Sequence, residues 1–64
     1  MMKNPFILLC GCPKSPKGWH YHCKRFATLN IARKEGERVQ TDIYKNRGWW
    51  EVIDLREEEL VAEG

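Results

Sequence analysis

The chain has 64 residues, of which 42% are hydrophobic, 31% charged and 11% aromatic, and its formal net charge is +2. Those figures fit one small folded unit, since domains rarely stand on fewer than roughly 50 residues. They exclude a two-domain nucleotide enzyme, a barrel enzyme and a large dry active site. Ordering a chain costs roughly 1.5 kcal/mol per residue, which a core this small offsets only narrowly. A staple is therefore expected: a metal, a disulfide or a partner subunit.

The first element is the apolar run Phe6-Ile7-Leu8-Leu9-Cys10. It is far shorter than the roughly 20 residues of a membrane span or the 7–15 of a signal-peptide core. No targeting segment is expected, so the sequence reading places the protein in the cytoplasm, away from membranes. A loop follows over 12–18, marked by Pro13, Pro16 and Gly18. Segment 19–33 alternates with a period of two: Trp19, Tyr21, Cys23, Ala27, Leu29 and Ile31 on one face, interrupted by Arg25; His20, His22, Lys24, Phe26, Thr28 and Asn30 on the other. That pattern predicts a strand. A competing reading makes 22–35 a helix closed by Gly36.

Segment 38–45 also alternates, with Val39, Thr41 and Ile43 set inward and Arg38, Gln40, Asp42 and Tyr44 outward, which predicts a second strand. A turn is expected at Asn46-Arg47-Gly48, then a strand over 49–55 with Trp50 and Val52 inward and Trp49 and Glu51 outward. Asp54 followed by Glu57 has capping-box spacing, so the acidic end reads as a short helix or a tail. The fold class is then α+β and β-rich: a small antiparallel meander of three to four strands with a short C-terminal helix or acidic tail. Residues 1–55 form the single domain and 56–64 the acidic helix or tail.

The three cysteines, Cys10, Cys12 and Cys23, are an odd set that argues against a closed disulfide framework. Two of them sit close in sequence to a histidine pair, Cys10-Gly-Cys12 and His20-Tyr-His22. If 6–12 and 19–26 pair as a hairpin with Cys12 opposite His20, then Cys10 lies opposite His22 and all four side chains share a face. Opposed Cβ atoms roughly 5 Å apart suit tetrahedral zinc. Cys10, Cys12, His20 and His22 are thus candidate ligands of a structural zinc, with Cys23 as a substitute should the strand bulge. Against this, C-x-C with H-x-H is not a common zinc pattern, and buried cysteine is an ordinary core residue.

Charge is split along the chain. Residues 1–48 hold ten Lys/Arg and three acids, whereas 49–64 hold one Arg and six acids. Cations interleaved with rings on an outward sheet face (Lys24, Phe26, Arg38, Tyr44, Arg47 and Trp49) would suit single-stranded nucleic acid, phosphates meeting the cations and bases stacking on the rings. Trp, Tyr and Arg also dominate protein-binding hot spots, and an exposed strand can self-associate. Enzyme chemistry finds no support: the lone Ser15 sits in the Pro-rich loop, no Gly-rich phosphate loop is present, and the acids cluster in the tail. The sequence therefore predicts a small cytosolic non-enzymatic binding or regulatory protein. Protein–protein contact, with another protein or a second copy, is the first reading and single-stranded nucleic-acid binding the second.

Overall fold

The apolar run becomes the first strand, β1 (Phe6–Pro13), and pairs antiparallel with β2 (Trp19–Phe26) in a computed structural model. The structure describes residues 3–13 and 18–64, and of Trp19 and His20 only the backbone. The loop expectation around Pro16 and the placement of Ser15 lie outside the described residues. The helix α1 (Leu29–Arg38) follows β2 and runs on into a π turn over Val39–Ile43. The hairpin of β3 (Trp49–Asp54) and β4 (Glu59–Glu63) completes the fold.

The four strands form one antiparallel sheet in the order β2-β1-β3-β4. Among the described residues the fold is thus strand-rich with one helical segment, but it is not a meander. The helix lies centrally in the chain and carries it from the β2 edge to the far side of β1, and the acidic end is a strand rather than a helix. Asp54, expected to cap a helix, instead turns the β3–β4 hairpin. Its Oδ1 accepts from the Arg56 backbone N–H at 3.0 Å, and its carbonyl accepts from Glu57 N–H at 3.3 Å. Glu58 completes the turn at φ 54°.

Segment 19–33 divides between the two readings. The strand ends at Phe26, and Thr28 (φ −130°, ψ 153°) caps the helix, its Oγ1 accepting from Ile31 N–H at 3.3 Å. Val39 and Tyr44, both 4% exposed, are five residues apart, the spacing that a π turn brings back to one side. Tyr44 N–H accordingly donates to the Val39 carbonyl at 2.9 Å. The expected strand over 38–45 fails for this reason: Thr41 and Ile43, set inward by alternation, are exposed, while Tyr44, set outward, is buried.

The core lies between α1 and one face of the sheet. Leu8, Cys10 and Cys12 of β1 meet Trp50 and Val52 of β3, and Ala32, Val39 and Tyr44 close over them. Gly36, read from sequence as a helix stop, is instead the place where the helix touches the sheet. A Cβ there would come within 2.7 Å of the Trp50 ring. The helix backbone can therefore rest on the indole only where the residue has no side chain.

Candidate functional site

Strand pairing assigns side chains to two faces, because alternate residues point opposite ways. Cys10 lies opposite His22 on the helix side, and the backbone pairs Cys12 with His20, the register that the zinc reading requires. Cys10 and Cys12 are buried, while His22 is exposed with its ring centroid 5.8 Å from that of Tyr44. Burial, with smaller contributions from Glu35 and Cys23, pushes the Cys10 thiol up to about 11, so it is protonated at neutral pH. Among the described residues, no three His, Cys, Asp or Glu side chains gather closely enough to hold a metal ion. Cys23 pairs with Leu9 and so lies on the opposite face from Cys10, which removes it as a substitute ligand without a bulge.

The six residues of the expected cationic and aromatic platform do not share a surface. Lys24 and Phe26 lie on the helix side of β2, with the Lys24 ammonium 5.7 Å from the Phe26 ring centroid. Arg38 is on the helix and is engaged by Glu35 through bonds of 2.7 and 2.8 Å. Tyr44 is part of the core, so its ring is not offered to a base. Arg47 is exposed in the turn before β3, and Trp49 lies on the other face of the sheet. Arg38 and Tyr44 leave the platform because 38–44 is helix and π turn rather than strand, and Lys24 and Phe26 leave it because their side of β2 faces the helix.

That other face is the feature sequence reasoning missed. Read across β2-β1-β3-β4, one row is Arg25, Ile7, Ile53 and Leu60; the next is Cys23, Leu9, Glu51 and Glu63; the third is Tyr21, Gly11 and Trp49. Among the described residues no element packs over these rows, since the helix covers the Leu8–Cys10–Val52 side. Tyr21 is 65% and Leu60 47% exposed, and Ile7, Leu9, Trp49 and Ile53 are half-buried. Gly11 belongs to this surface for a steric reason: a Cβ there would stand 2.6 Å from the Trp49 indole, which lies across it. At the β3–β4 end a shallow cavity of about 330 Å³ is lined by Trp49, Trp50, Glu51, Glu63 and Gly64.

One sequence signal did point to this face. The run from Phe6 to Cys10 is apolar at every position, whereas a strand covered on one side alternates. Both faces of β1 are therefore apolar, and the helix takes only one of them. No family model, curated protein or solved structure matches the chain. Nor is any helix among the described residues long and apolar enough to cross a membrane.

Proposed function

We propose that this chain is a non-enzymatic binding module that engages a protein through the uncovered face of its sheet. The observation that carries the reading is the one-sided cover. Ile7, Leu9, Tyr21, Trp49, Ile53 and Leu60 form a contiguous surface opposite the helix. Contiguous apolar surface with an aromatic component is what protein interfaces use at their centres. The charge on this face argues for a protein over nucleic acid. Glu51 and Glu63 stand beside the rings, and Arg25 is the only cation in the three rows, so phosphate meets repulsion where bases would stack. Zinc on Cys10, Cys12, His20 and His22 is a separate proposal for a structural staple, supported by the strand register alone.

The test is photocrosslinking from position 21, with position 34 on the outer side of the helix as control. The reading expects protein adducts from position 21 that disappear with Leu9→Asp and are absent from position 34. Nucleic-acid adducts, or equal adducts from the two positions, would overturn it.

A further inference from the structure

We infer that the protein covering this sheet face is a second copy of the chain, packed face to face about a two-fold axis parallel to the strands. The inference rests on the uncovered face being the binding surface, and goes beyond it by naming the occupant. One copy alone holds a charge conflict. Glu51 and Glu63 are direct cross-strand partners on the uncovered face, and like charges directly opposed across strands repel. The only cation in the same three rows, Arg25, stands at the far edge of the sheet, on β2. Within one chain β1 stands between it and Glu51, and β1 and β3 between it and Glu63, while its Nε donates to the Asn4 carbonyl at 3.0 Å.

A second copy removes that separation. Turning the sheet about an axis parallel to its strands places β2 of one copy over β4 of the other and β1 over β3. Each row then meets itself reversed. Ile7 of one copy packs on Ile53 of its partner, and Arg25 lands over Leu60, one row from Glu63, which lies three residues on across the bulge in β4. Adjacent rows on one face are about 7 Å apart, within reach of an extended Arg side chain. The paired carboxylates of Glu63 and Glu51 in that neighbouring row then face the guanidinium. The arrangement is isologous, so this contact forms twice. The other face-to-face choice, with the axis across the strands, puts β2 over β2 and β4 over β4. When centred on the Leu9 row, it stacks Glu51 on Glu51 and Glu63 on Glu63, which adds repulsion.

Size is compatible with a stable pair. Four strands at about 4.8 Å spacing and roughly 20 Å length give a face on the order of 400 Å² in projection. Rough side-chain relief raises the accessible area buried to roughly 600–800 Å² per copy, at the lower edge of stable interfaces. Two sheets so joined make a sandwich, with β1 apolar on both faces because both are then interior. The partner subunit is also the kind of staple that a chain of 64 residues calls for.

The experiment is sedimentation equilibrium of the full chain from about 1 µM to about 1 mM, a range bracketing the affinities such an area commonly gives. A monomer–dimer equilibrium is expected. Arg25→Glu and Glu63→Arg should each weaken it by about 10-fold or more, because each creates like-charge contacts twice per dimer. The Arg25→Glu/Glu63→Arg double variant should recover most of the loss. Glu63→Arg places a cation opposite Glu51 in its own chain, so its monomer is at no risk of unfolding on charge grounds, and circular dichroism checks this. A folded monomer at every concentration overturns the inference. A dimer indifferent to all three variants and to Leu9→Asp also overturns it, and points to strand-edge pairing. If the chain is monomeric yet position 21 still crosslinks another protein, the second copy is refuted and the binding face stands. If neither occurs, both readings fall.

Discussion

Gly36→Ala is the sharpest probe of how the helix sits on the sheet. On an isolated helix this change is favourable by about 1 kcal/mol, because alanine has the higher helix propensity. Here the added methyl would meet three Trp50 ring atoms at 2.7, 2.9 and 3.0 Å. Ordinary contact begins near 3.5 Å, so the ring or the helix must give by several tenths of an ångström. Trp50 is 5% exposed, and its strand is held between β1 and β4, which leaves the ring little room to retreat. Overpacking of this kind costs roughly 1–3 kcal/mol, which exceeds the propensity gain. The expected net effect is a loss of about 1 kcal/mol, or a fall in Tm of roughly 4–8 °C for a domain of this size. Thermal melts read the stability, and near-ultraviolet circular dichroism reports the Trp50 environment. Glu37→Ala on the exposed side of α1 serves as control and should move Tm little. If Gly36→Ala instead raises Tm, the helix does not rest on Trp50 as described.

The remaining predictions concern the thiols, the acid limit and the metal. Thiol titration of the native monomer should show one fast group, Cys23, because Cys10 and Cys12 are buried and Cys10 is held protonated; equal rates for all three would contradict the core placement. Arg56 hydrogen-bonds the Asp54 side chain at 2.9 and 3.0 Å and lowers its pKa below the ordinary 3.8. The stability this pair adds is complete above the ordinary value and is lost as pH falls through the lowered one. Asp54→Asn should therefore flatten the acid limb of a stability–pH curve below about pH 4, and an unchanged limb would show that the pair contributes nothing there. The zinc proposal expects one bound zinc by native mass spectrometry, with unfolding on chelation. A folded, metal-free chain removes it.

Much of the sheet was legible in the sequence because strand alternation is local. The faces of 49–54 follow from period two, and the Cys10–His22 and Cys12–His20 register supposed for zinc is the one the hairpin adopts, but the two faces of 19–26 are reversed, since Lys24 and Phe26, expected outward, lie on the helix side. The helix was not, and the reason is tertiary. Gly36 looks like punctuation until Trp50 is seen beneath it, and Val39, Thr41 and Ile43 alternate by accident along a π turn whose core contacts are Val39 and Tyr44. Strand order was hidden too, since β3 joins β1 rather than its chain neighbour. The binding face was half visible. The unbroken apolar run of β1 called for cover on both sides, but only the strand order shows that Arg25 and the Glu51–Glu63 pair end at opposite sides of one surface.

Methyl-resolved NMR across a dilution series tests the binding face most directly. Ile7, Leu9, Ile53 and Leu60 report the uncovered face, while Leu8, Ile31 and Ile43 are reporters away from it. The account predicts that the first group shifts and broadens as concentration rises and that the second stays still. Shifts confined to Ile31 and Ile43 would place the contact on the helical side, and a spectrum unchanged at every concentration would leave the apolar face without its second copy.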